Sequence, residues 1–222
     1  MSRFLCLLFL VMPLLNSCGG YHPINQNNPL QQYGISTVAI PMFINQTAFA
    51  DISGPMTKEI ARVLHSYPGI RVYAGEYVQA DAILIGVIKS RDKVNDVVLA
   101  STKRFTTDRL KESIGPRKEF YIPSASSYQL QLELTLIKDP SVGDKELIHS
   151  DLKKYLSRHP KIIFNEVMSL SGSYDRVIMP NTKPDDGGTV NYSQNVALFK
   201  KSIENLSVNA ALNFKEVILN AF

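Results

Sequence analysis

Apolar and polar residues alternate strictly from Tyr128 to Leu136. Tyr128, Leu130, Leu132, Leu134 and Leu136 fall on one side, and Gln129, Gln131, Glu133 and Thr135 on the other. A period of two marks a strand with one buried face and one wet face. Shorter runs repeat the signal. Ser36 to Phe43, Ile70 to Tyr73 and Ala82 to Ile88 are rich in β-branched residues and bounded by Asn, Thr, Pro or Gly, as buried strands are. Phe164 to Ile178 alternates Val167, Ser169, Ser171 and Ser173 with Met168, Leu170, Gly172 and Tyr174, which predicts a strand with small residues on one side. Gly86 interrupts an otherwise apolar strand, marking either a bulge or a close approach of another group.

Two stretches carry the longer period instead. Met56, Ile60, Val63 and Leu64 share one face of a helix over Ser53 to His65, with Ser53 as its expected N-cap and Pro55 in the first turn. Tyr67-Pro68-Gly69 ends it. Asp51, just before it, is read as a capping or solvated acid. Val196, Phe199, Ile203, Leu206, Ala210, Phe214, Val217 and Ala221 set a second, longer helix over Ser193 to Phe222, broadened by Leu198, Leu212, Ile218 and Leu219. One stripe of this width suits packing on a sheet. Helices beside strands in this order are the elements of an α+β fold.

The remaining segments lack apolar periodicity. Positions 18–33 are rich in Asn and Gln and read as a tether. Positions 89–127, 144–160 and 181–191 read as loops inserted into a single domain over 34–222. In the first of these, Val97 to Leu99 extends the preceding strand and Asp108 to Ile114 suits a turn or two of helix. That segment carries Lys103, Arg104, Arg109, Lys111, Arg117 and Lys118 against Asp108, Glu112 and Glu119.

Composition changes the picture little: 222 residues, a net charge of +4 and ample apolar content bound one moderate domain. The N-terminus changes it more. Phe4 to Leu15 is an apolar run behind Arg3, too short to span a bilayer and suited to the core of an export signal over 1–17. It ends in Leu15-Asn16-Ser17-Cys18, which resembles a bacterial lipobox, with Asn16 larger and more polar than is usual there. Two readings stand: cleavage before Cys18 with acylation of its amine and thiol, or an ordinary export signal with an incidental Cys. In the first, Cys6 leaves with the signal and Cys18 retains no thiol for a disulfide, a metal or nucleophilic chemistry. Gly19, not Asp, follows Cys18, as in lipoproteins sent to the outer membrane.

No catalytic constellation is legible. His22, His65, His149 and His159 have no metal-ligand spacing, and H-E-x-x-H, G-x-S-x-G, P-loop and G-x-G-x-x-G are all missing from the sequence. The chain is expected not to be an enzyme and to need no cofactor. So small a net charge on an exported chain argues against nucleic acid as a partner.

Several of these residues together resemble a known family. A lipobox Cys followed by Gly-Tyr-His, the strand ending IPMFINQT, the helix SGPMTKEIARVL, the stretch VYAGEYVQADAILIGVI, the Tyr-x-Leu-x-Leu-x-Leu strand running to Lys138-Asp139, and a long last helix are similar to the lipopolysaccharide-assembly lipoproteins, LptE-like. The resemblance covers Cys18 to Ile88 well and Tyr128 to Asp139 and the last helix loosely. The basic segment 89–127 departs from it.

The resemblance implies a fold, α+β, a two-layer sandwich of two helices packed on a mixed four-stranded sheet. It also implies an outer-membrane lipoprotein on the periplasmic face, lodged inside an LptD-type β-barrel and assisting delivery of lipopolysaccharide. Clustered Lys103, Arg104, Arg109 and Lys111 suit phosphate groups such as those of lipid A; the plainer reading is a solvated loop of mixed charge. A second resemblance, to the strand–helix–strand domains of curli-type secretion lipoproteins, implies self-association. Such a pore-former needs a long hairpin with one apolar face, and segment 89–127 is too charged for that.

Overall fold

The computed structural model describes residues 28–76, 79–90, 99–106, 119–141, 161–179 and 190–221. The expected signal, Cys18, most of the tether, Arg109, Lys111, the loop 144–160 and most of the loop 181–191 lie outside the described residues.

After a 3-10 turn at Gln31–Tyr33, the elements are β1 (Thr37–Ile40), β2 (Ile44–Gln46), α1 (Ser53–His65), β3 (Arg71–Ala74), β4 (Ala82–Ser90), β5 (Leu99–Thr106), β6 (Glu119–Lys138), β7 (Ile162–Asp175) and α2 (Tyr192–Ala221). β1 runs parallel to β3 on one side and to the start of β4 on the other, and β2 runs parallel to the end of β4. β1 and β2 therefore lie in tandem along one side of β4, separated by Pro41-Met42-Phe43. β6 is antiparallel to β4 over Leu130–Lys138 and to β5 over Glu119–Ser127. β7 lines the opposite side of β6.

The class is the expected α+β: two helices on one face of a mixed sheet. The count of four strands implied by the resemblance is corrected to seven among the described residues. The apolar pattern itself names five, and two causes account for the other two. Pro41 has no N–H to donate, so the strand expected over Ser36 to Phe43 stops at Ile40, and β2 forms separately beyond it. The expected loop 89–127 contributes β5 and nearly half of β6, Glu119–Ser127, as an antiparallel pair. Backbone pairing joins the two strands, and it leaves no apolar period in the sequence. Pro123 stands at the register shift opposite Ser101/Thr102, the kind of irregular position a strand proline occupies.

The core lies between sheet and helices. Tyr128, Leu130, Leu132, Leu134 and Leu136 of β6 face Met56, Ile60 and Leu64 of α1 and Ile203, Leu206, Ala210, Phe214 and Ile218 of α2. Leu212 is the exception to the expected stripe and is exposed. Ser53 is not the N-cap. Ile52 holds that position with no side-chain cap, and Asp51 turns the chain at φ 61°. Burying Ile52 completely outweighs the missing cap. Ser53 instead offers its carbonyl to the Thr57 hydroxyl at 2.7 Å.

Gly86 marks close approach. Its strand pairs with β6 without a shift, and a Cβ at this position would lie 2.5 Å from Cγ of the Phe43 ring. Gly172 makes the same allowance for Tyr128, whose ring a Cβ would overlap. The Tyr128 hydroxyl then meets Ser202 of α2 at 2.7 Å, and Ser202 donates to the Ser173 carbonyl at 3.1 Å. Phe49 and Phe199 pack against that ring and against each other, and Tyr174 against Phe199, with centroids 5.2 to 6.1 Å apart.

The wet face expected of β6 is wet only in part. Gln129 is exposed, but Glu133, Thr135 and Ile137 are buried. Ile137 joins Ala39, Ile83 and Ile85 in a second apolar cluster on that face. Glu133 pairs with Lys89 at 2.7 Å, and the Thr135 hydroxyl donates to Asn165 at 3.1 Å.

Candidate binding surfaces

The strands give the molecule two distinct ends. The tether end holds Asn28, the starts of β1 and β4, and the end of β6. Here Asp81 ties three segments together. Its Oδ2 accepts the Ser36 N–H at 2.9 Å, the Ser36 hydroxyl at 2.9 Å and the Thr37 N–H at 2.8 Å. Its own N–H donates to the Thr37 hydroxyl at 2.8 Å, and its carbonyl accepts the Asp139 N–H at 2.8 Å. Burial pushes the Asp81 carboxyl up, but the hydrogen bonds from Ser36 and Thr37 outweigh it and hold the pKa below the usual carboxylate value.

A depressed folded pKa contributes stability above the unfolded value of about 4, and that contribution is lost as pH falls through the folded value. Acid unfolding of the native protein is therefore expected to steepen below about pH 4, and Asp81→Asn to flatten that limb while lowering stability at pH 7. Parallel acid titrations followed by circular dichroism check this; identical curves would count against it.

An open depression of about 520 Å³ lies at the same end, lined by Asn28, Gln31, Ser36, Pro68 and Gly69 among others. Its Asn28 amide is already engaged. Nδ2 donates to the Ile35 carbonyl at 2.7 Å and Oδ1 accepts the Leu30 N–H at 2.8 Å.

The far end is built by the β5–β6 hairpin and by the join between β7 and α2. Asn195 makes that join. Its Oδ1 accepts the Val177 N–H at 2.9 Å, and its Nδ2 donates to the Asn191 carbonyl at 2.8 Å. Ile178 bridges Val190 above it. Arg176 donates its N–H to the Ser124 carbonyl at 2.8 Å and lays its guanidinium 5.8 Å from the Tyr174 ring centre. Tyr121 and Tyr192 are exposed at this end, Tyr192 by 80%.

Lys103 and Arg104, two of the residues expected at a phosphate site, occupy successive positions of β5 opposite Ile122 and Tyr121. Arg109 and Lys111 lie outside the described residues.

The open face of β6 and β7 is polar. Ser127 stands opposite Ser173, Gln129 opposite Ser171, and Gln131 opposite Ser169. Ser127, Gln129, Ser169, Ser171 and Ser173 are exposed. Among the described residues no group of three His, Cys, Asp or Glu side chains comes together. Sequence reasoning gave Asp81 no role, although an acid in Ala80-Asp81-Ala82 at the start of a strand is placed to accept from a neighbouring strand's N–H groups.

No family model matches the chain, and no curated protein matches it. Solved structures are similar at a distance. A candidate lipoprotein from Caulobacter crescentus is 9% identical over 81% of this chain and 88% of its own, with a TM-score of 0.42. Lipoprotein GNA1162 from Neisseria meningitidis is 10% identical over 78% and 98%, with a TM-score of 0.32. Rare lipoprotein B from Shewanella oneidensis is 9% identical over 82% and 92%, with a TM-score of 0.31. Likeness this distant carries neither fold nor function to this chain.

Proposed function

We propose that this chain is a non-enzymatic bacterial lipoprotein, anchored in the outer membrane through acylated Cys18, that sits in an LptD-type β-barrel and assists assembly of lipopolysaccharide. The observation that carries the reading is the sheet's polar open side. Gln129, Ser169, Ser171 and Ser173 present small polar groups beside a sheet whose other face is closed by helices. Such a surface suits the polar lumen of a barrel, whose wall is apolar only on the outside. Depleting the protein is expected to keep lipopolysaccharide from the cell surface. Undiminished surface lipopolysaccharide would count against the reading.

A second reading, a self-associating structural lipoprotein, gains from the β5–β6 hairpin, which the sequence reading did not expect. Lys103, Arg104 and Glu119 stand within its strands, however, and strands so charged do not suit a membrane-entering hairpin. That favours the barrel.

The basic residues supply a separate test. Replacing Lys103, Arg104, Arg109 and Lys111 together with Ser is expected to weaken lipopolysaccharide binding, with the largest loss at low salt, since exposed charges are screened as salt rises. Binding of the full-length variant equal to wild type at every salt concentration removes these residues from the account.

A further inference from the structure

The sheet face away from the helices is apolar at the tether end. Ile83 stands beside Ala39 on one side and Ile137 on the other, and Ile162 of β7 lies next to Ile137. With Ile85 and Ala80 they form a cluster separate from the helix-side core. Ile83 and Ile137 are each 1% exposed, and Ile85 6%. A sheet face left to water keeps the outer ends of its side chains wet, so a further layer lies over these residues. The burial is complete in one chain, so the cover belongs to the chain itself.

Both described helices pack on the opposite face. The β3–β4 connection supplies part of the cover. β3 and β4 flank β1 and run parallel to it, so the chain between them crosses β1, and Ala80 in the cluster puts that crossing on this side. It accounts for Ala39 at the β1 edge. Ile137 lies two strands further on, about 10 Å away, and among the described residues no element lies over it.

The connection from β6 to β7 starts and ends beside Ile137. The Lys138 N–H donates to the Lys161 carbonyl at 2.8 Å, and Lys161 Nζ donates to the Asp139 carbonyl at 3.0 Å. Strands already this close need only about two to five residues to turn. Here 21 residues, 140–160, separate Asp139 from Lys161. Among them Ile148, Leu152, Tyr155 and Leu156 fall at i, i+4, i+7 and i+8, the spacing of Met56, Ile60, Val63 and Leu64 in α1. Ten helical residues measure about 15 Å, enough to lie across β6 and β4. The other undescribed stretches fit less well. Positions 18–27 hold only Tyr21 and Ile24 as large apolar side chains. Positions 91–98 leave from the middle of the sheet, and 107–118 and 180–189 from the far end.

We propose that the β6–β7 connection, 142–160, docks on the tether half of the open sheet face and buries Ile148, Leu152, Tyr155 and Leu156 against Ile85 and Ile137. The open side is then divided in two. The chain's own segment takes the apolar half, and any partner of this side meets only the half where Ser127, Ser169 and Ser171 are exposed. The inference goes beyond the barrel reading and does not depend on it.

Thermal unfolding of the full-length protein in detergent tests this. Leu152→Ser with Leu156→Ser is expected to lower the melting temperature by about 5 °C or more. Lys153→Ser with Lys154→Ser, off the apolar stripe, is expected to leave it unchanged. Where the stripe docks is read by adding Ile137→Ala, or Ile137→Val if the alanine variant does not fold. The combined loss is expected to be clearly smaller than the sum of the separate losses, because the same contact is removed twice. Equal shifts for the leucine and lysine pairs overturn the proposal, as do strictly additive losses with the Ile137 variant. Barrel recovery is measured on separate material, so either idea can fail alone.

Discussion

Replacing Cys18 with Ala is expected to remove the protein from the outer-membrane fraction. The residue supplies both groups that acylation uses, and every buried CH₂ of the attached chains contributes about 0.8 kcal/mol of membrane affinity. No described helix is long and apolar enough to cross a membrane in its place. The wild-type chain is expected to begin at Cys18 and to carry the added mass of its acyl groups. The Cys18→Ala chain is expected to keep residues 1–17 and gain no such mass. Intact-mass spectrometry with membrane fractionation reads both. A Cys18→Ala chain of ordinary mature length in the outer membrane would overturn the anchor, and the Leu15-Asn16-Ser17-Cys18 stretch would then be an ordinary export signal.

The second large effect is expected at Gly86. A methyl group there meets the Phe43 ring 2.5 Å away, in the middle of β4, where neither strand nor ring has room to retreat. Overpacking of this kind costs about 1–3 kcal/mol. For a chain of this size that lowers the melting temperature by roughly 2–4 °C per kcal/mol. Phe43→Ala empties the same space and costs about 3–5 kcal/mol alone. The pair Gly86→Ala with Phe43→Ala is expected to cost clearly less than the sum, because the methyl fills part of the cavity that the lost ring leaves. Thermal unfolding of the four proteins reads the coupling, and strictly additive losses would show that the two residues do not share the space.

How much of this was legible depended on burial. β6 announced itself because its apolar side chains alternate against a helix layer, and Gly86 could be marked as a bulge or a close approach because an apolar strand has little other use for a glycine. The β5–β6 hairpin was not legible. Lys103, Arg104 and Thr106 obey no apolar period, since cross-strand backbone pairing holds them in place.

The partial burial of the far sheet face was missed for a related reason. Glu133 reads as solvated until Lys89 arrives across the sheet to pair with it. At α1, Ser53 two residues before Pro55 promised a cap, but the cap position falls one residue earlier, on the buried Ile52. For the candidate site, the serine alternation of β7 was plain in the sequence. That its partners on β6 are Gln129, Gln131 and Ser127, which make one continuous polar face, depended on register and could not be read from either strand alone.

The most direct test of the central claim is to affinity-purify the full-length tagged protein from detergent-solubilised outer membranes and to quantify what accompanies it. The account predicts one large β-barrel protein in equal molar amount. Recovery of the lipoprotein without any barrel, alone or only with copies of itself, would contradict it.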